Sequence, residues 1–151
     1  MPYREEHQMK IRSVKESDID AIGTIYERAF EHSEGVTKCY RGFSEYVKFS
    51  MQQGYAFVLE ERTVCGVILG YEKPDMFMGK VAYIELLAVL PECQSKGYGK
   101  ALIQKFEDVT AKNGIKELSL RTGCYMKAFH IYHHLGFKDT RDDQRYMVRH
   151  I

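Results

Sequence analysis

Val89-Leu90-Pro91-Glu92-Cys93-Gln94-Ser95-Lys96-Gly97-Tyr98-Gly99-Lys100 is the stretch on which the fold turns. It joins an apolar run over 81–90, rich in Val, Ile, Leu and Ala, to a helical stripe at Leu102, Ile103, Phe106 and Val109. The run reads as a strand covered on both faces. Pro91 stops it, and Asn113-Gly114 supplies the stop for the helix. A strand that turns through two glycines into a helix leaves several amides without an intrahelical partner. The helix dipole adds about half a positive charge at the same place, so the turn suits a phosphate or pyrophosphate. Gly97 and Gly99 let the main chain approach an anion without a Cβ in the way, and Lys96 and Lys100 bring positive charge. Two glycines also describe an ordinary helix start. The segment has neither the GxGxxG of a dinucleotide fold nor the GK[ST] of a P-loop, which argues against NAD and ATP.

Outward from this turn, the chain alternates between helical and strand periods. Lys10 to Val14 reads as a short strand. Ser17, with Asp20 three residues on, predicts a capping box for a helix whose stripe is Ile19, Ile22, Ile25, Tyr26, Ala29 and Phe30. Glu31 to Arg41 reads as a loop, and Phe43, Tyr46, Val47 and Phe49 predict a weaker helix ending near Gly54. Strands follow at Tyr55 to Glu60 and Val64 to Tyr71, joined at Glu61-Arg62-Thr63. Glu72 to Gly79 reads as a loop. Beyond the central helix come a strand at Glu117 to Thr122, a short helix at Lys127 to Leu135 closed by Gly136, and strands near Phe137 to Thr140 and Arg145 to His150. Phe137 stands where an apolar contact follows a glycine cap. Strand–helix–strand units imply parallel pairing in part of the sheet.

Composition bounds the function. The 151 residues, 44% hydrophobic, fit one domain over 9–151 with a polar lead-in over 1–8. Lys plus Arg number 22 against 21 for Asp plus Glu, a balance that argues against a general nucleic-acid binder. No apolar run approaches the roughly 20 residues needed to cross a bilayer, and Met1 to Met9 does not resemble a signal peptide. Cys39, Cys65, Cys93 and Cys124 lie far apart without zinc-site spacing, so no metal is expected and the thiols read as small residues of a reducing cytoplasm. His130 and His134 are four apart, but no Glu follows His130 as in HExxH, and they read as a solvated polar face.

Gln94-Ser95-Lys96-Gly97-Tyr98-Gly99 resembles the Q/R-x-x-G-x-G/A signature of the GNAT superfamily of N-acetyltransferases, and Val89-Leu90-Pro91 resembles the V-x-P segment that precedes it. Farther on, Ala128-Phe129-His130-Ile131-Tyr132-His133-His134-Leu135-Gly136-Phe137 is similar to that family's A-x-x-[IL]-Y-x-x-x-G-F helix. The element order matches from Lys10 to the C-terminus. The resemblance implies the acyl-CoA N-acyltransferase fold: mixed α/β, with a central mixed, largely antiparallel sheet of about six or seven strands flanked by about four helices. One departure is Tyr125, which stands where the family often has Asn.

The resemblance also implies a chemistry. The pyrophosphate of acetyl-CoA would rest on the amides from Gln94 to Lys100, and the pantetheine arm would pair with backbone groups near Leu87, Ala88 and Val89. A backbone N–H near Val89 would polarise the thioester carbonyl, and a bound amine would attack directly, held in line by the enzyme. Tyr132 matches the position of the general acid, although it also fits simple packing with Ala128 and Leu135. Glu85, a carboxylate inside an apolar strand, is the candidate base acting through water, or equally a carboxylate with a structural partner. Tyr83, Glu85, Leu87 and Val89 are expected on one substrate face. Tyr40, Arg41, Phe43 and Tyr46 fall where the family builds its acceptor wall, and equally read as loop and helix surface. Cys93 and Cys124 lie near the expected site, but direct transfer needs no covalent acetyl carrier. The alternative from another class is a noncatalytic acyl-CoA-binding sensor or subunit. The acceptor, the general base and use of other acyl groups stay open, and so does a homodimer.

Overall fold

The computed structural model describes residues 8–31, 41–122, 127–139, 147, 149 and 150. The chain divides into two compact units, Met1–Arg121 and Thr122–Ile151. The first contains β1 (Lys10–Ser13), α1 (Ile19–Phe30), α2 (Arg41–Gln53), β2 (Tyr55–Glu60), β3 (Val64–Asp75), β4 (Gly79–Val89), α3 (Tyr98–Lys112) and β5 (Leu118–Leu120). The second contains α4 (Lys127–His134).

The five strands lie in sequence order, each antiparallel to the next except for the parallel pair β4–β5. The sheet is mixed and largely antiparallel, as expected, but its strands number five among the described residues. The strand expected at 137–140 is not formed over the described residues 137–139. Its amide is used elsewhere: Gly136 adopts φ 91°, its N–H donates to His133 O (3.1 Å), and Phe137 N–H donates to Tyr132 O (3.0 Å). This is a left-handed glycine cap, and the Tyr132 and Phe137 rings meet edge-on at 5.7 Å. The strand expected at 145–150 falls mostly outside the described residues. Of the loops, 32–40 lies outside them, while 72–79 is largely strand and pairs Lys73 with Val81 and Pro74 with Lys80.

Helices cover both faces of the sheet. On one side Ile22 and Ile25 of α1 and Val47 of α2 pack with Val58, Val67, Leu69, Leu86 and Ala88. On the other, α3 lies so close that a Cβ on Gly70 would stand 2.7 Å from the Phe106 ring and 2.2 Å from Tyr83 O. Gly70 is therefore required by close approach rather than by a turn.

The start of α1 is capped differently from the expectation. Asp18, not Ser17, closes the turn: its Oδ2 accepts the Lys15 N–H (2.7 Å), and its own N–H donates to Lys15 O (2.9 Å). Arg12 grips the same carboxylate through Nη1 (2.8 Å) and Nη2 (3.0 Å), and its Nε reaches Glu60 on β2 (3.1 Å). Asp18 is only 6% exposed, so the fork ties β1, β2 and the head of α1 together through charge-assisted bonds.

The Arg12 guanidinium holds the Asp18 carboxyl below its ordinary value, against the opposing effect of burial. A depressed folded value contributes stability above the unfolded carboxylate range, near pH 4, and that contribution is lost as pH falls through the folded value. Asp18→Asn is expected to cost about 1–3 kcal/mol at pH 7 in urea titrations, and the gap to the parent should narrow below about pH 4. A gap that stays constant down to the acid transition contradicts this.

Candidate functional site

β4 carries an irregularity at its middle. Leu69 of β3 pairs with Leu86 but Gly70 pairs with Ile84, so Glu85 is an extra, unpaired residue, a β-bulge. One inserted residue flips the parity of everything beyond it. Tyr83 therefore shares a face with Tyr71, on the α2 side. Val89 instead lies on the α3 face, where a Cβ on Gly66 would meet both Val89 and Leu102. The single face expected for Tyr83, Glu85, Leu87 and Val89 is corrected by this bulge. Strict alternation gave no sign of it. A carboxylate standing exposed in an apolar strand was the only available hint.

The other edge of β4 is covered only in part. β5 pairs with Ala82, Tyr83 and Ile84, and the Ala82 N–H donates to Glu117 O (3.1 Å). Beyond Ile84 no described strand lies on that side. The Leu90 N–H donates to Cys65 O on β3 (2.8 Å). Alternation along the strand therefore turns the backbone groups of Val89 and Leu87 to the uncovered edge and those of Ala88 toward β3. Of the three positions expected to pair with a pantetheine arm, two face outward and Ala88 does not.

At its end β4 passes through a short turn of 3-10 helix at Pro91–Cys93, held by the Cys93 N–H on Leu90 O (2.9 Å), and then through Gln94 to Lys96. Gln94 Nε2 donates to Val89 O (3.0 Å), folding the turn back on the strand end. Ser95 has φ 65° and Gly97, the residue before α3, has φ 80°. The first helical bond runs from the Ala101 N–H to Gly97 O (3.0 Å), and no side chain caps the helix. The amides of Tyr98, Gly99 and Lys100 are thus left for a partner outside the helix. A Cβ built on Gly97 or Gly99 would meet nothing within 4 Å. Gly97 is needed for its left-handed backbone, and Gly99 leaves the approach clear.

Charges around the turn are tempered. Lys96 Nζ lies 3.7 Å from Glu61 Oε2 and over the Tyr98 ring, so it does not present an unshared positive charge, whereas Lys100 is exposed. The Glu61 carboxylate beside the Tyr98 hydroxyl pushes that phenol up to about 12. Arg28 of α1 forks onto Glu92 with both contacts at 2.8 Å, holding the turn against the helix layer. Cys65 and Cys93, distant in sequence, come together with Glu61, their ligand atoms all within 4.8 Å of one another. Burial and the neighbouring Cys93 push the Cys65 thiol up to about 12.

In the second unit, Tyr132 sits on α4 with its ring against Phe137, and burial pushes its phenol up to about 12. It remains a proton donor across neutral pH. His130 and His134 are exposed, as their reading as a polar face requires. Of the expected acceptor wall, Phe43 packs on Tyr26 at 5.8 Å and belongs to the core, while Tyr46 turns toward Phe49 at 5.9 Å. Tyr40, Cys39, Cys124 and Tyr125 lie outside the described residues, and the side chain of Arg41 is likewise undescribed.

Residues 19–137 match the family described as Acetyltransferase (GNAT) family, and the chain belongs to it. No curated protein sequence matches the chain. Among solved structures, the GCN5-related N-acetyltransferase from Ralstonia eutropha aligns with TM-score 0.76 at 20% identity, covering 93% of this chain and 99% of its own. The aminoglycoside N-acetyltransferase AAC(6')-Iy in complex with CoA aligns with TM-score 0.76 at 18% identity, covering 94% and 95%. An aminoglycoside acetyltransferase from an uncultured soil metagenomic sample, in complex with sisomicin, gives 0.70 at 20%, covering 93% and 97%. At these identities the likeness shows the fold. With the family match, it makes the chain an acyltransferase of the GNAT type.

The backbone at Gly97 yields a direct test by titration calorimetry with coenzyme A. Gly97→Val forces a β-branched side chain into a left-handed conformation that costs on the order of 1–2 kcal/mol, and affinity should fall about tenfold or more. Ser95→Gly relieves the same conformation at Ser95 and should keep affinity within about threefold. Equal affinities for parent and Gly97→Val would remove the turn from coenzyme binding.

Proposed function

We propose that the protein transfers an acetyl group from acetyl-CoA directly to a primary amine. The observation that carries this reading is the end of β4. There, outward-facing backbone groups at Leu87 and Val89 run into a turn whose amides at Tyr98, Gly99 and Lys100 have no helical partner. A diphosphate satisfies those amides and gains from the helix dipole. The amide-bearing arm attached to it can pair along the strand edge as an added strand would. The remaining expected contacts, Gln94, Ser95, Lys96 and Gly97, shape the turn.

The chemistry then needs a carbonyl polarised by a backbone N–H, an amine without its proton, and a proton for the departing sulfur. The amine nitrogen attacks the thioester carbon, and the C–S bond breaks as the C–N bond is completed. Tyr132 Oη gives its proton to the sulfur. Its raised value suits a donor that must stay protonated until the thiolate forms. Glu85, lifted out of the ladder by the bulge and exposed, takes the amine proton through water. Positioning supplies the larger share of the rate. Small-molecule amines, peptide N-termini and lysine side chains are all chemically competent acceptors. A reducing cytoplasm suits the two free thiols of Cys65 and Cys93, and we place the protein there.

Two substitutions test the roles by coenzyme A release with a panel of amines. Tyr132→Phe is expected to lower kcat about a hundredfold while the affinity for acetyl-CoA changes less than about twofold. Unchanged kcat removes Tyr132 from the acid role, and no turnover by the parent with any amine favours a noncatalytic acyl-CoA sensor. Glu85→Gln is expected to lower kcat/KM about tenfold or more at pH 7. The deficit should shrink toward pH 10, where ordinary amines shed the proton unaided. A deficit independent of pH assigns Glu85 to structure instead.

A further inference from the structure

Beside the bulge, four aromatic rings form a continuous row across three elements. Tyr46 lies 5.9 Å from Phe49 on α2, Phe49 lies 6.1 Å from Tyr71 on β3, and Tyr71 lies 5.5 Å from Tyr83 on β4. All are tilted or edge-on rather than stacked. The row is not sealed into the core, because Phe49 is 37% exposed and Tyr71 and Tyr83 are half-buried. The bulge sets Glu85 beside it, exposed and without an ion pair to any described residue.

Two features separate this row from plain packing. Tyr46 Oη and Ser50 Oγ are buried near each other, and neither makes a hydrogen bond of good geometry. Buried hydroxyls without a well-placed partner are uncommon in a packed core. The second is electrostatic. Tyr46 and Tyr83 both have phenols pushed up, by burial first and by the Glu85 charge second, so one carboxylate bears on both ends of the row. Positive charge is held at the Tyr83 ring. Lys73 Nζ lies 5.6 Å from the centroid of that ring, and the Arg121 charge acts on the same phenol.

Resting on the acetyl-transfer reading, we infer that the acceptor is a monocationic amine on an apolar body, held with its ammonium near Glu85 and its body along Tyr46, Phe49, Tyr71 and Tyr83. One unpaired carboxylate matches one ammonium, and ring faces add cation–π attraction. Lys73, whose ammonium lies over the Tyr83 ring, repels a second positive charge, which disfavours polyamines and aminoglycosides. Glu85 itself repels a carboxylate placed beside the amine, which disfavours free amino acids. The row selects the substrate and does not take part in the proton transfers.

The test compares 2-phenylethylamine with phenylalanine, 1,4-diaminobutane and sisomicin as acceptors, by coenzyme A release. The expected order places 2-phenylethylamine at least about tenfold above the other three in kcat/KM, the scale of a partly desolvated cation–π contact with one charge repulsion. Tyr71→Leu should raise its KM about five- to tenfold with kcat within about twofold, and Tyr71→Phe should restore it. Tyr83→Leu is the second variant should Tyr71→Leu melt early. Preference for sisomicin, the diamine or phenylalanine overturns the inference and leaves acetyl transfer standing. If no amine turns over, calorimetry with 2-phenylethylamine on the coenzyme A complex still decides. Binding weakened by Tyr71→Leu supports the aromatic row, and no binding refutes it.

Discussion

The constraint behind the whole arrangement is the hydrogen-bonding debt of one strand. Among the described residues, β4 is paired along β3 for its full length but along β5 only at Ala82, Tyr83 and Ile84. Backbone N–H and C=O groups do not tolerate being left without partners. From Glu85 onward, one edge of β4 and then the first amides of α3 have none within the sheet or helix among the described residues. Such a line of donors and acceptors fits an extended, amide-bearing molecule that ends in an anion, which is the basis of the proposed function. Coenzyme A has that form.

Three local devices hold the line in place. The bulge at Glu85 lifts a carboxylate out of the ladder and reverses the parity of the strand. The left-handed residues Ser95 and Gly97 turn the chain so that the amides of α3 point outward. The Arg28–Glu92 fork and the Gln94–Val89 bond anchor the turn to α1 and to the strand end. Neither side chain of the Arg28–Glu92 pair is buried, so its contribution to stability is small. Its value lies in geometry, since a shift of the turn by an ångström would misplace every amide.

Much of this was legible in the residues, for identifiable reasons. Gly97 and Gly99 announce a turn because few other residues accept its backbone. Ile22, Ile25, Leu102 and Phe106 announce their helices because burial on one face imposes a helical period. What stayed hidden depends on long-range contact. Asp18 displaced Ser17 as the cap because Arg12 and Lys15 reach it across the first turn. The bulge at Glu85 arises from register against β3, which no local period encodes. The meeting of Cys65 with Cys93, the neutralisation of Lys96 by Glu61, and the aromatic row from Tyr46 to Tyr83 are likewise products of strand pairing. Phe137 makes the apolar contact expected after the glycine cap of α4, and that use of its amide is why the strand also expected from it is not formed over 137–139.

The most direct measurement is amide-resolved NMR of the isotopically labelled protein, titrated with acetyl-CoA and separately with inorganic pyrophosphate. On this account acetyl-CoA moves the amide resonances of Leu87, Val89, Tyr98, Gly99 and Lys100 together, while pyrophosphate moves only the last three. Saturating acetyl-CoA binding that leaves those five resonances in place, and shifts others instead, would contradict it.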